Sequence, residues 1–389
     1  MIIGGGRRRR RGNNLNAILA LVLLLALVFA GGYFLIQTRL GNGLAGLGGN
    51  ATPLPTLTPT LKVEDFTIKA EQLYKEGKLS EAISSYEQAI RRKPNDTDLQ
   101  IKVSRLYIFS GRAALAEQRL SKIVQIDPKN AMAKATLGMA LDWQGKAKDA
   151  LTLCQDAAQI DPNSTTLAYL AEAQTDNNDF QGAVASAQKA ITLDDKNVDA
   201  VRNLAYAYEQ YGYYSQASTY YKQAVGLHEN LAHIQLGLGR TYMLLDVSQA
   251  IKPLRRAVEL DPNNAESRED LGAVNAYLGE REQARINYDK SLELQPDRVS
   301  ALLKRGALNV QTGLVDNAVV DYTRAFSVAL SSNTSLLASD YLNFGIALQM
   351  QSAANCPKAL TLMQQAADLA PTDDKWQTSV KSYMAKCRK

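Results

Sequence analysis

Histidine and cysteine are almost missing from this chain of 389 residues. There are two histidines, His228 and His233, and three cysteines, Cys154, Cys356 and Cys387. No C-x-x-C occurs, so neither a zinc ribbon nor a thioredoxin-like redox pair is on offer. The two histidines fall near one junction without clustered acids or cysteines, and they read as ordinary helix or turn residues rather than metal ligands. A Gly-rich phosphate loop and a nucleophile motif are also missing. These absences predict a chain that is not an enzyme and has no catalytic residues, cofactor, metal or small-molecule substrate.

Acidic residues are absent from the first 38 positions. The formal net charge of +5 is equally local: Arg7, Arg8, Arg9, Arg10 and Arg11 supply five of the 44 basic residues, and the other 39 balance 39 acidic ones. A body so balanced lacks the electrostatic footprint of a nucleic-acid binder. With charged residues at 21% and apolar residues at 46%, wholesale disorder is also excluded.

What is present begins with an apolar run. Ala17 to Ile36 reads AILALVLLLALVFAGGYFLI, without a charge. At about 1.5 Å per residue such a run spans about 30 Å, the thickness of a hydrocarbon core. The arginines precede it and only Arg39 follows closely, so the positive-inside bias predicts an N-terminus in the cytoplasm and the rest beyond the membrane. A cleavable signal peptide is the rival reading, with Val28-Phe29-Ala30 before Gly31 as the cleavage site. Tyr33, Phe34, Leu35 and Ile36 continue the apolar run past that point and favour an uncleaved anchor. Twin-arginine export is weakly signalled, because no Phe-Leu pair follows the arginines. The expected organisation is a basic N-terminus over 1–14, a transmembrane signal-anchor helix over 15–37 and a Gly/Pro/Thr-rich linker over 38–62.

From there one unit recurs. Ala82, Ala116, Ala150, Ala183, Ala217, Ala250, Ala284 and Ala318 are spaced by 33 or 34 residues, and Ala359 follows after 41. Four residues beyond each stands Tyr86, Leu120, Cys154, Ala187, Tyr221, Leu254, Tyr288, Tyr322 or Met363, and three further on comes a small or short residue such as Ala89 or Ala224. That spacing is one face of an α-helix. Upstream lies a second helical stripe, as in Leu238-Gly239 and Leu271-Gly272, and between the stripes stands a turn glycine: Gly77, Gly111, Gly145, Gly212, Gly279 or Gly313. Proline ends the unit at Pro94, Pro128, Pro162, Pro262, Pro296 and Pro371.

This helix–turn–helix period resembles the tetratricopeptide repeat. The family pattern L-G-x-x-Y, A-x-x-x-F, P is matched by Leu238-Gly239 with Tyr242, Ala250 with Leu254, and Pro262. Departures are Asp195, Glu229 and Leu330 in place of the proline, Leu245-Asp246 without a turn glycine, and about two extra residues near Ala353-Ala354. The resemblance implies an all-α, right-handed superhelical solenoid of about nine units over 63–372 (63–96, 97–130, 131–163, 164–197, 198–231, 232–264, 265–298, 299–332 and 338–372). A capping helix over 373–389 completes it, with Trp376, Val380, Tyr383, Met384 and Cys387 on one face.

The family's first helices line a concave wall. Carried over, the inward positions are Tyr74, Arg105, Phe109, Met139, Trp143, Tyr206, Arg240, Met243, Leu244 and Tyr277, either a partner groove or packing between repeats. The lysine–asparagine clamp for a C-terminal carboxylate is not visible: the corresponding pairs are Thr67 with Glu71, Ile101 with Arg105, and Ala135 with Met139. An asparagine ladder is missing as well, Asn203 and Asn343 being isolated. If the last repeat's second helix and the cap pack antiparallel across Ala370–Asp373, Cys356 and Cys387 come near enough to bridge; otherwise they are two unpaired thiols. Cys154 reads as an inert core thiol.

The expected function is an interaction scaffold or adaptor, single-pass in a bacterial cytoplasmic membrane with its repeats on the far side, binding other proteins or extended peptides. The alternative is a peptide- or client-binding receptor or chaperone of the cell envelope.

Overall fold

The computed structural model describes residues 62–387. The expected basic terminus, the anchor helix over 15–37 and the linker up to 61 lie outside the described residues. Among the described residues no helix is long and apolar enough to cross a membrane.

The described chain is all helix. Nine pairs follow one another: α1 (Val63–Lys75) and α2 (Leu79–Arg92), α3 (Thr97–Phe109) and α4 (Ala113–Ile126), α5 (Ala131–Asp142) and α6 (Ala147–Ile160), α7 (Ser164–Asp176) and α8 (Phe180–Leu193), α9 (Val198–Gln210) and α10 (Tyr214–Leu227), α11 (Ala232–Leu245) and α12 (Val247–Leu260), α13 (Ala265–Tyr277) and α14 (Arg281–Leu294), α15 (Val299–Gln311) and α16 (Val315–Ser331), α17 (Ala338–Gln351) and α18 (Cys356–Asp368). A last helix, α19 (Asp374–Lys386), lies on the end. The odd-numbered helices up to α17 form one row and the even-numbered helices the other. Each helix packs on its pair-mate and on its neighbours in sequence, which makes a solenoid.

The repeated alanines explain the packing. Every one of them, from Ala82 to Ala359, is fully buried, and so is nearly all of the side chain four residues on. A methyl group at the first position lets the pair-mate approach, and the larger residue one turn later fills the space beneath it. Gly239 shows how close the approach is: a Cβ there would lie 2.5 Å from Leu254 Cγ. The six turn glycines have φ between 74° and 81°, the left-handed region that closes a helix end. The fourth pair uses Asn178 instead, at φ 63°, a conformation that asparagine tolerates better than most residues. The sixth pair needs no such residue, because Asp246 ends α11 and its side chain caps α12 through the Ser248 N–H. Asparagine starts α5, α7, α9 and α13 in the same way, its side chain accepting from the first turn.

The departures from the repeat pattern have visible consequences. Where Leu330 stands in place of proline, α16 runs on to Ser331. The extra residues of the ninth pair form a short 3₁₀ turn, Ala353–Asn355. α19 covers the end of the core: Val380 is buried against it, and Trp376 Nε1 donates to the Ala366 carbonyl at 2.9 Å. Cys356 and Cys387 are joined as a disulfide with Cα atoms 5.4 Å apart, fastening the start of α18 to the end of α19.

Candidate functional site: the inner wall

The odd-numbered row forms the inner wall, and its curvature depends on small residues. α5, α7 and α9 bury Ala133, Ala135, Ala140, Ala168, Ala171, Ala200 and Ala207, so these three helices pack directly on one another. Tight curvature brings distant helices face to face. Arg105 Nη2 on α3 meets Asp199 Oδ2 on α9 at 2.7 Å. Phe109, also on α3, stacks on His233 of α11 with ring centroids 4.6 Å apart. Trp143, just past α5, sets its ring 5.9 Å from Phe109 and 5.6 Å from His233. Tyr74 of α1 rests on His228 at 4.8 Å, and Asn230 Nδ2 donates to the Lys75 carbonyl at 2.9 Å. The first six pairs therefore close one turn of the solenoid on itself, with their own side chains filling the axis.

The electrostatics follow from that closure. Burial opposes the charge on Arg105, but the Asp199 carboxylate offsets it and the guanidinium stays charged. Tyr169 Oη also donates to Asp199, at 3.3 Å. Burial, with Arg202 and Arg105 nearby, holds His233 well below the ordinary histidine value, so it is neutral. Glu172 on α7 accepts from Trp143 Nε1 at 3.0 Å and pairs with Arg202 on α9.

Two cavities flank these contacts. The larger, about 710 Å³, lies at the N-terminal ends of the inner helices and is lined by Thr67, Lys102, Arg105, Tyr169, Asp199 and His228 among others. The smaller, about 270 Å³, is lined by Asp142, Trp143, Glu172, Asp176, Arg202, Tyr206, Glu209, His233 and Arg240.

The ten inward positions expected from the sequence divide into four groups. Tyr74, Arg105, Phe109 and Trp143 are brought together and spend their surfaces on one another and on α9 and α11; Phe109 is only 6% exposed. Met139 is core, 3% exposed. Tyr206 and Arg240 are tied to acids on neighbouring helices, Tyr206 Oη to Asp176 at 2.6 Å and Arg240 Nε to Asp270 at 2.7 Å. Met243 packs against the core under α11. Leu244 and Tyr277 remain free, 59% and 73% exposed, at the ends of the adjacent inner helices α11 and α13. Asp199 and Asp142 were not expected here, and His233 was expected only as an ordinary helix or turn residue. A histidine or an acid at an inner-row position was their only signal.

The architecture defines the class first: an all-helical repeat solenoid. Tetratricopeptide repeat models match residues 73–140 and 202–231, which supports that family for the array. Curated relatives include the DnaJ homolog subfamily C member 3 of Gallus gallus, 24% identical over 199 residues, which are 47% of this chain and 40% of that protein. Another is the BBSome complex member BBS4 homolog of Drosophila melanogaster, 25% identical over 207 residues, 50% of this chain and 41% of that one. The chain thus spans well under half the length of the curated relatives it matches. Among solved structures, that of the APC/C hetero-tetramer Cut9-Hcn1 superposes with a TM-score of 0.65 at 15% identity, covering 85% of this chain and 67% of that chain. The likeness is one of fold. Tetratricopeptide proteins are generally protein–protein interaction scaffolds, and the fold is typically non-enzymatic.

Proposed function

We propose that this protein is a membrane-anchored interaction scaffold, single-pass in a bacterial cytoplasmic membrane, with its repeat array presented outside the cytoplasm. The observation that carries the interaction surface is the pair Leu244 and Tyr277, exposed with Leu245 and Leu278 where the array is no longer closed on itself. Aromatic and aliphatic side chains gathered in this way are what partner surfaces use. The five arginines before an uncharged run of 20 residues support the anchor and its orientation. The disulfide between α18 and α19 fits an oxidising compartment. Filling of the inner wall of the first six pairs by the chain's own side chains speaks against the alternative, a receptor that threads a long peptide there.

The test uses the full-length protein solubilised from membranes in detergent. A scaffold retains a folded partner at fixed stoichiometry, and Leu244→Asp with Tyr277→Ala abolishes retention. Weak binding of many unrelated peptides, unaffected by those changes, overturns the reading. A C-terminal reporter active only in the cytoplasm overturns the topology.

A further inference from the structure

We propose that the cavity between α5, α7, α9 and α11 receives one cationic side chain, an arginine guanidinium or a lysine ammonium, from a partner polypeptide. The inference rests on the reading of the array as a protein-binding scaffold.

Three carboxylates line the cavity without a cationic partner. Tyr206 Oη donates to Asp176 Oδ1 at 2.6 Å and Tyr221 Oη donates to Glu209 Oε2 at 2.5 Å, and neither acid is in contact with a cation of its own. Asp142 is 6% exposed and neither of its oxygens accepts from a donor; its carboxyl hydrogen-bonds to another acid, Asp176. The two arginines in the lining are already committed, Arg202 to Glu172 and Arg240 to Glu266 and Asp270. A buried carboxyl whose hydrogen-bond partner is a second acid has no counter-charge, and a cation entering the cavity would supply it.

The missing partner is an organic cation. Among the described residues no three His, Cys, Asp or Glu converge to hold a metal ion. The rings that line it are of the kind that accept such groups: Arg202 already lies 5.9 Å from the Trp143 ring centroid and 4.9 Å from that of Tyr206. At about 270 Å³ the cavity is smaller than the roughly 300–1,000 Å³ of small-molecule sites, and it suits a single side chain.

The titration of Asp142 agrees with this role. Burial, then Glu172 and Asp176 facing it from α7, push its carboxyl up to about 9, while Arg202 on α9 opposes the shift. Cys154 on α6 is the other titratable group that feels it. Asp142 therefore holds a proton at neutral pH, hydrogen-bonded to Asp176. An entering cation favours the carboxylate, and that proton leaves to the buffer.

Calorimetry on the full-length protein in detergent tests the site with end-blocked Gly-Arg-Gly, Gly-Lys-Gly and the neutral isostere Gly-citrulline-Gly. The cationic peptides should bind with release of a proton, and the citrulline peptide should not. Affinity should rise with pH below about 9, by at most about tenfold per unit. Asp142→Asn should weaken binding about tenfold or more, and so should Asp176→Asn, at an exposed position where folding is not at risk. Equal binding of the arginine and citrulline peptides, no binding at all, or indifference to both substitutions overturns the proposal. If a folded partner is still retained in that event, the scaffold reading stands. Arginine-peptide binding without any retained partner sinks the scaffold alone.

Discussion

Phe109 and His233 stack face to face at 4.6 Å, although one belongs to the second helix pair and the other to the sixth. Together with Arg105–Asp199 at 2.7 Å, this contact locks the first turn of the solenoid. Stacked repeats otherwise touch only their neighbours, and their stability is local. The lock adds long-range cooperativity.

Breaking the lock should therefore both destabilise and open the array. Asp199→Ala leaves Arg105 without its counter-charge in a buried site and should cost about 3–5 kcal/mol by urea denaturation. Phe109→Ala should cost about as much, mainly through lost packing. Small-angle scattering should give a larger radius of gyration for the double variant than for the wild type. An unchanged radius would mean that neighbour packing alone sets the curvature.

Acid should act on the same contact. His233 is held neutral by burial, then by Arg202 and Arg105, whereas in the unfolded chain its value is about 6.5. As pH falls through about 6.5 the unfolded state takes up a proton that the folded state refuses, so stability is lost, by up to about 1.4 kcal/mol per pH unit. The stability is fully present above that value. Asp142, Glu172, Glu209 and Asp270, raised by burial, titrate in the opposite sense, so the informative quantity is the difference between wild type and His233→Phe. The variant should lose less stability between about pH 6.5 and pH 5; parallel curves would contradict the assignment.

The disulfide makes a countable prediction. Unfolded without reductant, the protein should expose one titratable thiol, Cys154, and with reductant three. Reduction should lower stability by about 3–4 kcal/mol in the chain-entropy model and loosen α19 first. Three thiols without reductant would remove the covalent clamp.

Leu254→Ala tests the repeat core. Leu254 is fully buried beneath Gly239, and its loss should cost about 2–5 kcal/mol.

The repeat itself was legible because it is written in local chemistry. The alanine period, the residue four further on and the turn glycines each act within one helix pair. The fourth turn escaped the glycine pattern because Asn178 takes the same left-handed conformation. The lock was not legible. Whether Phe109 meets His233 depends on the rotation accumulated over four helix pairs, and that rotation is set by how closely the alanine-rich faces of α5, α7 and α9 approach. The family analogy placed Tyr74, Arg105, Phe109 and Trp143 on the inner wall without revealing that the wall folds onto itself. Asp142 was hidden for a related reason. A lone acid at a helix end looks solvated until the neighbouring helices bury it.

The central claim is that partners dock where Leu244 and Tyr277 stand free and not along the Tyr74–Arg105 face of the closed inner wall. Site-specific photo-crosslinking in cells addresses it directly, with a benzophenone side chain placed at Tyr277 in one variant and at Tyr74 in another. The account predicts a discrete partner adduct from Tyr277 and only internal crosslinks from Tyr74. A partner adduct from Tyr74, with none from Tyr277, would contradict it.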